Sequence, residues 1–386
     1  MKRPLFCRGL FVYLDYMKRV FVSVSNDLVT DNRVDKTCRT LVNAGYEVCL
    51  IGRLKKNSPQ MNERPYSFKR MSLCFYSSFF FYAEFNLRLF FKLLFSKVDI
   101  LWANDLDTLW ANYLVSKIKQ LPLVFDSHEH FTEVPELKYN KFAKWFWKKV
   151  EKSIVPSLDN VITVCQPIAD YFKKEYGIDA LVVRNCPKKD FVLKTKSRED
   201  LNMPLDKPIL IWQGGGCNIE RGMEELVESM KWIDAYLYII GGGDVYEDLK
   251  HISERFGVKD KIRFIPRLPF EEMMQYTFNS TIGLSLDKDT NINYSISLPN
   301  KLFEYIHAEL PIIITPLSEI KPIVETFSVG DFLTNHQPSN IALQINSLLS
   351  DIKRREFYSE NCKKAKQILC WEVEERKIID LLSYIK

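Results

Sequence analysis

The chain alternates short apolar runs with segments in which apolar residues recur at helical spacing. The first run, Val20–Ser25, is rich in β-branched residues and predicts a buried strand. Beyond a polar loop, apolar residues between Val34 and Val42 recur three or four positions apart, and Gly45 follows as a helix-ending residue. A second strand is predicted at Glu47–Ile51, so the chain opens with a strand–helix–strand unit.

The same alternation continues along the chain and then starts again. Further strands are predicted at Asp99–Ala103, Leu123–Asp126, Val161–Val164 and Ala180–Arg184. After a polar linker, the next strands are predicted at Pro208–Gln213, Ala235–Ile240, Ile262–Ile265, Thr281–Leu286 and Pro311–Thr315. Strands that alternate with helices form parallel sheets covered on both faces, so we predict an α/β protein with two doubly wound, Rossmann-like domains.

The length of 386 residues exceeds one comfortable core and fits two domains. We predict a first domain over residues 17–190 and a second over 191–368, with the boundary in the polar linker. Residues 1–16 begin like a signal peptide, but Arg8 and Asp15 interrupt a short apolar stretch and no small-residue cleavage site follows. We therefore expect these residues to be a dispensable N-terminal extension.

Composition narrows the class of protein. The chain is 46% hydrophobic and 27% charged, as folded globular proteins are, and its net charge of +5 does not by itself indicate nucleic-acid binding. Nine cysteines, none spaced as Cys-x-x-Cys, argue against a disulfide framework and a structural zinc, and favour a cytoplasmic location. No apolar run reaches about eighteen residues, so no membrane-spanning helix is expected.

The segment Ser297–Thr315 carries the most specific chemical signal. It predicts a turn, a helix and a β-branched strand, with Pro299 in the first helical turn, where a backbone N–H would be unpaired anyway. The amides at such a helix start form an anion site, and Lys301 adds a positive charge beside them. Glu304 lies one turn further on, and its carboxylate suits ribose hydroxyls better than phosphate. These residues indicate a nucleoside diphosphate held without a metal ion.

This segment is similar to the donor-binding helix of the family-4 retaining glycosyltransferases, whose GT-B fold has two Rossmann-like domains facing across a cleft. Glu304 matches the second glutamate of their Glu-x7-Glu motif, whereas Ile296 stands where the first glutamate, which contacts the transferred sugar, is expected. Some branches carry a Pro-x-Lys-x-x-Glu-Tyr version, which this chain also resembles. The resemblance implies that Pro299, Asn300, Lys301 and Glu304 bind the donor.

A glycine-rich loop follows the first predicted strand of the second domain. Gly214, Gly215 and Gly216 let a ligand approach the backbone, and Arg221 lies near the next helix start, where it can clamp a phosphate. The resembled family has an arginine at the position of Gly216 and a lysine at that of Arg221, and both bind the donor pyrophosphate. The alternative for Arg221 is a solvated side chain. We predict that Arg221 and Lys301 converge at one strand-end crevice.

His128 follows the strand Leu123–Asp126 and is expected at its carboxyl end. In the resembled family a histidine at this position contacts the transferred sugar and supports charge at the reacting carbon. The alternative is a surface or structural histidine. A metal site with Glu129, His130 and Glu133 is not favoured, because their placement does not match typical metal sites.

Two short polar motifs of the first domain have competing interpretations. Asp105 and Asp107 mimic the metal-binding Asp-x-Asp of the other major glycosyltransferase fold, but they start a predicted helix, so an N-cap role is favoured. Asp31, Asn32 and Arg33 are predicted on the acceptor side, with Arg33 holding an anionic acceptor. Asp31 and Asn32 fit a helix cap equally well, and the two roles are compatible.

Two stretches of the first domain, residues 68–97 and 141–152, combine aromatic with basic residues. We expect them to contact a membrane surface peripherally, on the inner face of the membrane. The alternative for residues 68–97 is a helix packed on the sheet, because amphipathicity alone does not distinguish a protein core from a bilayer.

The resemblance implies a metal-independent, retaining glycosyltransferase. It would move a sugar from a nucleotide-diphosphate sugar to a hydroxyl of a saccharide or lipid-linked saccharide, in surface polysaccharide or glycolipid synthesis, with no cofactor. The leaving phosphate would take the proton of the acceptor. The final helix, at 369–386, would cross back to the first domain. The predicted catalytic residues are His128, Arg221, Lys301 and Glu304, and Arg267, which follows the strand at Ile262–Ile265, joins the donor-binding residues.

Other functions stay open at this stage. A non-catalytic nucleotide-sugar-binding or scaffold protein of the same fold is the main alternative, and Ile296 and Gly216 favour it. A GT-B phosphorylase or epimerase would use similar phosphate loops, but a phosphorylase is longer and carries a pyridoxal lysine. A nicotinamide enzyme is disfavoured, because neither Gly214–Gly216 nor Gly241–Gly243 completes the Gly-x-Gly-x-x-Gly fingerprint.

Overall fold

The computed structural model of the chain describes residues 3–7, 10–14, 17–29, 31–56, 58–133, 137, 140–189 and 195–385. The chain divides into two compact units, unit 1 with Met1–Val183 and Glu375–Lys386, and unit 2 with Arg184–Glu374. The domain boundary predicted at 190/191 lies outside the described residues. Among the described residues, no helix is both long and apolar enough to cross a membrane.

Unit 1 begins with two short strands that pair with each other. Strands β1 (Arg3–Cys7) and β2 (Leu10–Leu14) run antiparallel and form a sheet of their own. These strands were not predicted, because residues 1–16 were interpreted as a dispensable N-terminal extension.

The main sheet of unit 1 is parallel and has seven strands. The strands are β3 (Arg19–Asp27), β4 (Glu47–Leu54), β5 (Ser67–Ser72), β6 (Ile100–Asn104), β7 (Leu123–Ser127), β8 (Asn160–Thr163) and β9 (Leu181–Val182). The helices are α1 (Asn32–Asn43), α2 (Ser78–Leu94), α3 (Leu106–Lys119), α4 (Lys141–Ile154) and α5 (Gln166–Tyr176). The strand order is β5-β4-β3-β6-β7-β8-β9. From β3 the chain adds β4 and β5 in one direction, and it then adds β6 to β9 in the other, so the switch point lies between β3 and β6.

Unit 2 contains a six-stranded parallel sheet in the order β12-β11-β10-β13-β14-β15. The strands are β10 (Ile209–Gly214), β11 (Tyr236–Gly241), β12 (Ile262–Ile265), β13 (Ile282–Ser285), β14 (Ile312–Ile314) and β15 (Gly330–Phe332). The helices are α6 (Met223–Ser229), α7 (Tyr246–Arg255), α8 (Phe270–Phe278), α9 (Ile292–Ser295), α10 (Asn300–His307), α11 (Ile320–Phe327), α12 (Pro338–Ser350), α13 (Ile352–Ala365) and α14 (Trp371–Tyr384). Helix α14 begins in unit 2 and ends in unit 1.

Both faces of the sheet in unit 2 are buried. Leu210 and Trp212 of β10 belong to the core on one face, and Ile209 and Ile211 belong to the core on the other. Side chains alternate across a strand, so a strand that is apolar at every position needs cover on both sides. The predicted α/β class with two doubly wound sheets is confirmed.

The strand order of unit 2 positions the loops that carry its polar residues. The direction of winding reverses between β10 and β13, which pair directly through Leu210 and Ile211. In doubly wound sheets the crevice for a ligand lies at such a switch point, at the carboxyl ends of the strands. The loops after β10 and β13 therefore meet at the edge where a ligand is expected.

Candidate active site

A close backbone contact joins the loop after β10 to the end of β13. Gly222 has φ +68°, and a Cβ atom built on it would lie 2.4 Å from the carbonyl oxygen of Leu286. Only glycine fits this conformation and this spacing without displacing the backbone. The contact keeps Arg221, the preceding residue, next to the residues that follow β13.

Arg221 forms an ion pair with a carboxylate that the sequence analysis did not identify. Its Nη1 lies 2.8 Å from Oδ2 of Asp287, and its guanidinium carbon lies 4.3 Å from the centre of the Tyr294 ring. Burial lowers the pKa of Arg221, but Asp287 and Tyr294 outweigh it and leave the pKa raised. Arg221 therefore stays cationic although its side chain is only 22% exposed.

Lys301 reaches the same carboxylate from a different element. It is the second residue of α10, and its Nζ lies 4.0 Å from Oδ1 of Asp287 and 4.3 Å from the centre of the Trp212 ring. Its side chain is buried, and burial lowers its pKa below the ordinary lysine value, although Asp287 opposes the shift. The two predicted cations thus lie around one buried acid.

The glycine loop lies beside these cations. A Cβ atom added at Gly214 would lie 3.7 Å from Cε of Lys301, and one added at Gly215 would lie 3.8 Å from the guanidinium carbon of Arg267. At Gly216 the nearest atom would be the amide nitrogen of Asn218, at 3.2 Å. The glycine backbone therefore lies close to Lys301 at residue 214 and close to Arg267 at residue 215.

Glu304 lies on α10 one turn beyond Lys301 and is held by a polar chain. Its carboxylate accepts a hydrogen bond of 2.6 Å from the side-chain amide of Gln213, the fifth residue of β10. The amide oxygen of Gln213 in turn accepts a 2.5 Å bond from the hydroxyl of Thr277. Gln213 and Thr277 were not predicted from the sequence, although a glutamine in an otherwise apolar buried strand was a signal.

The start of α10 differs slightly from the prediction. Asn300 is its first residue, and Pro299 precedes it as the capping residue with extended backbone angles, so our placement of Pro299 in the first turn was wrong. The side chain of Asn300 accepts a 3.0 Å hydrogen bond from Asn185. Ile296 follows α9, so an apolar side chain occupies the position of the missing first glutamate.

In unit 1, His128 is held between two carboxylates. Its backbone N–H donates a 2.8 Å hydrogen bond to Asp105, whose other carboxylate oxygen lies 3.3 Å from Nδ1. Nε2 lies 3.5 Å from Oδ2 of Asp126. Burial lowers the pKa of His128, but Asp105 and then Asp126 outweigh it, so the pKa rises well above the ordinary value. The two carboxylates therefore favour the charged form of the imidazole.

Asp105 precedes α3 and Asp107 lies inside it, and both act differently from the predicted caps. Asp105 occupies the N-cap position but makes no capping hydrogen bond, and its φ of +59° is unusual for a non-glycine residue. Burial, with a further contribution from Asp105, raises the pKa of Asp107 to about 7. Asp107 lies inside α3 and accepts a hydrogen bond from Ser25. Asp105 therefore holds the predicted N-cap position without a capping side-chain hydrogen bond, whereas Asp107 is not a cap.

The predicted acceptor-side residues lie at the start of α1. Asp31 caps this helix by accepting a 3.1 Å bond from the backbone N–H of Val34, and Asn32 is the first helical residue. Arg33 is 4% exposed and forms a 2.7 Å ion pair with Asp126. Its other terminal nitrogen donates a 2.8 Å bond to the carbonyl of Val183. This placement does not favour the acceptor contact predicted for Arg33.

Two separate polar networks thus contain the predicted site residues. Unit 2 brings together the glycine loop, Arg221, Arg267, Lys301 and Glu304, and unit 1 brings together His128 and Arg33 through Asp126. Among the residues that the structure describes, no group of three or more histidine, cysteine, aspartate or glutamate side chains could hold a metal ion.

Two doubly wound parallel sheets, with cationic residues at the strand ends of the second, define the GT-B class of protein. Comparison with known families agrees with this class over successive parts of the chain. The profile of Glycosyltransferase Family 4 matches residues 31–186, and that of Glycosyl transferases group 1 matches residues 194–365. The chain therefore belongs to the family-4 glycosyltransferases of the GT-B fold.

Solved structures share the fold at low sequence identity. A sucrose-phosphate synthase from Thermosynechococcus elongatus has a TM-score of 0.76 at 16% identity, with 95% of this chain and 98% of that chain covered. Anabaena Alr3699/HepE in complex with UDP-glucose has a TM-score of 0.74 at 13% identity, with 95% and 100% covered.

A curated relative matches over a shorter stretch. It is the D-inositol 3-phosphate glycosyltransferase of Xylanimonas cellulosilytica, which is 18% identical over 256 residues. The match takes in 60% of this chain and spans 58% of the length of that relative.

Proposed function

We propose that the protein is a retaining glycosyltransferase that moves a sugar from a nucleotide-diphosphate sugar to a hydroxyl. The observation that carries this proposal is the meeting of Arg221 and Lys301 beside the glycine loop at the carboxyl ends of β10 and β13. The buried Lys301 and the partly buried Arg221 beside a glycine backbone suit a diphosphate, because charge-assisted hydrogen bonds strengthen where water is excluded.

The donor would bind mainly to unit 2. Arg221, Lys301 and the amides at the start of α10 would neutralise the charge that gathers on the leaving diphosphate, which stabilises the transition state electrostatically. Glu304 would accept hydrogen bonds from the ribose hydroxyls, and Arg267 would contact the donor beside Gly215. Anabaena Alr3699/HepE, which shares the fold, was solved with UDP-glucose, and this supports a nucleotide-sugar donor.

We propose that the reaction needs no metal ion or cofactor. The two cations would supply the positive charge that the leaving group requires. The bond from the anomeric carbon to the phosphate oxygen would break while the acceptor oxygen bonds to that carbon on the same face, which retains the anomeric configuration, and the leaving phosphate would take the proton of the acceptor hydroxyl. His128 would contact the transferred sugar. Both of its ring nitrogens lie near carboxylates, so it would act as a charged group rather than a base.

The acceptor is proposed to be a saccharide or lipid-linked saccharide reached at the cytoplasmic surface of a membrane. Helix α2 buries Phe81, Phe85 and Leu89 but exposes Phe79 and Phe80. Phe79 also packs edge-on against Phe146 of α4, with ring centres 5.6 Å apart. We call the exposed aromatic and basic residues of 68–97 and 141–152 the aromatic–basic surface, and we propose that it lies against the membrane.

A panel of UDP-, GDP- and ADP-sugars tests the proposal. We expect one donor to raise the melting temperature and to release its nucleotide when a saccharide acceptor is present. The alternative is a non-catalytic nucleotide-sugar-binding or scaffold protein, which the apolar Ile296 at the position of a sugar-binding glutamate favours. A donor that stabilises the protein without any nucleotide release would support that alternative and contradict enzymatic transfer.

A further inference from the structure

Both proposed phosphate-binding side chains approach the carboxylate of Asp287. It follows β13 by two residues, and its side chain is 1% exposed. Oδ2 pairs with Arg221 at 2.8 Å, and Oδ1 lies 4.0 Å from Nζ of Lys301. Oδ1 makes no hydrogen bond to any other residue that the structure describes. One oxygen thus faces a cation of the loop after β10, and the other faces a cation of helix α10.

We propose that Asp287 is a positioning residue, whose buried carboxylate holds the guanidinium of Arg221 and the ammonium of Lys301 at one point beside the glycine loop. This inference rests on the proposed function, because it explains how the diphosphate site is preassembled. Without a counter-charge the buried Lys301 and the partly buried Arg221 would repel each other, and each would lose hydration. One carboxylate offsets part of this cost and leaves net positive charge for an anion.

The ionisable groups around Lys301 make this role measurable. Lys301 faces Asp287 after β13, Arg221 and Cys217 in the loop after β10, and Glu304 on its own helix. Burial and Arg221 lower the pKa of Lys301, whereas Asp287 raises it. Removing the carboxylate charge should therefore lower this pKa further, by about one to three pH units for an opposite charge at this distance.

The test compares Asp287→Asn with Asp289→Asn. Asp289 lies in the same loop and carries the same charge, but its carboxylate accepts a hydrogen bond from Ser295. Lysine ammonium signals of the free protein are followed by NMR from pH 6 to 11, with the Lys301 signal assigned by its loss in Lys301→Met. We expect the Lys301 midpoint to fall in Asp287→Asn, to stay in Asp289→Asn and to recover partly in Asp287→Glu.

Binding of inorganic pyrophosphate over the same pH range gives a second readout. We expect the alkaline limit of binding to move down in Asp287→Asn only. An unchanged Lys301 midpoint, or tighter pyrophosphate binding with an unchanged alkaline limit, overturns the inference, because the carboxylate would then only compete with the anion. If the Lys301 midpoint falls as expected but no nucleotide or pyrophosphate binds the native protein, the proposed function fails and the positioning of Lys301 stands.

Discussion

Charged side chains in both networks contact polar or oppositely charged residues. These contacts determine which hydrogen bonds and charges the side chains can offer to a ligand. Glu304 accepts from the amide of Gln213, and Asp126 pairs with Arg33. Burial raises the pKa of Asp126, but Arg33 outweighs it and leaves that pKa below its ordinary value. A substitution at either position therefore also changes its partner, and the test must separate the two effects.

Glu304→Gln keeps the size of the side chain and removes its charge. We expect the KM for the donor to rise about tenfold or more with a smaller change in kcat, because a hydrogen bond to a charged group contributes about 1.5–3 kcal/mol. Steady-state kinetics with the donor found in the panel measures both constants. Glu325→Gln, on the half-exposed acid of α11 that pairs with Lys321, is the control and should change neither. An unchanged KM in Glu304→Gln would rule out the ribose role.

Asp105→Asn tests the environment of His128. The raised pKa of His128 means that its ion pairs stabilise the fold fully below the unfolded pKa of about 6.5 and are lost as the pH rises through the higher folded value. Asp105 is the larger of the two acidic contributions, so the variant should lower the His128 pKa and lose this stability at a lower pH. NMR of the imidazole protons and melting temperatures between pH 5 and 9 measure both effects.

Asp99→Asn is the control for this experiment. Asp99 also accepts a backbone N–H, from Arg19 at 2.8 Å, but it precedes β6, whereas Asp105 follows that strand. If Asp105→Asn and Asp99→Asn leave the imidazole midpoint equally unchanged, the carboxylate of Asp105 does not hold the ring.

Sequence motifs predicted the charged residues of the site. They did not predict the acids and amides that form ion pairs and hydrogen bonds with those residues. Lys301 and Glu304 belong to a recognisable spacing, and Arg221 follows a glycine loop. Asp287 and Gln213 belong to no motif, and their contacts arise only when neighbouring strands end at one edge. Asp105 was visible, but its partner lies twenty-three residues away and depends on the pairing of β6 with β7.

At the scale of elements, glycine fixes how the loops approach each other. Gly222 caps α6 with φ +68° and lies against Leu286, whereas Gly257 has the same φ with nothing within 4 Å of an added Cβ. An alanine would therefore meet the same backbone strain at both positions, and only the space available for its Cβ atom differs. They form a matched pair for measuring what the close approach of the two loops contributes.

Gly222→Ala should destabilise the protein more than Gly257→Ala. An alanine at this φ costs roughly 1–2 kcal/mol at both positions, and the clash with the Leu286 carbonyl adds to it only at residue 222. We also expect weaker donor binding in Gly222→Ala, because Arg221 must shift. Thermal unfolding and donor titration measure the two effects. Equal losses of stability in the two variants, with donor binding unchanged, would show that the loop tolerates displacement.

The elements themselves were predictable where apolar periodicity was strong. The predicted strands of both large sheets lie within a few residues of observed ones, since buried parallel strands are continuous apolar runs. The edge strands β5 and β15 were not predicted, because neither is a continuous apolar run. Strand β9 is shorter than the predicted Ala180–Arg184, because only Leu181 and Val182 pair with β8. Strands β1 and β2 were missed, because their pairing is local to a segment that resembled a targeting sequence.

At the scale of the whole molecule, the aromatic–basic surface predicts binding to anionic membranes. Phe79 is 54% and Phe80 is 61% exposed, an unusual fraction for large apolar side chains in one helix. We expect the native protein to sediment with vesicles containing phosphatidylglycerol, less so at high salt, and we expect Phe79→Ser with Phe80→Ser to reduce this binding several-fold.

Phe357→Ser is the matched control for the membrane experiment. Phe357 is 56% exposed on α13 of unit 2, outside the aromatic–basic surface, so vesicle binding should not change. Absence of vesicle binding by the native protein would contradict the membrane contact. Equal losses in the control and in the double variant would show that general hydrophobicity, not this surface, drives the association.

The path of the chain limits how the protein can be divided for experiments. Residues 375–386 belong to unit 1, where Glu375 accepts a 2.7 Å bond from Thr40 and the carbonyl of Ile385 lies 3.4 Å from the ammonium of Lys18. A gene that stops at Glu374, the last residue of unit 2, would therefore encode unit 1 without its final segment. Isolating that half would require a circular permutant in which the last dozen residues are ligated ahead of the first strand.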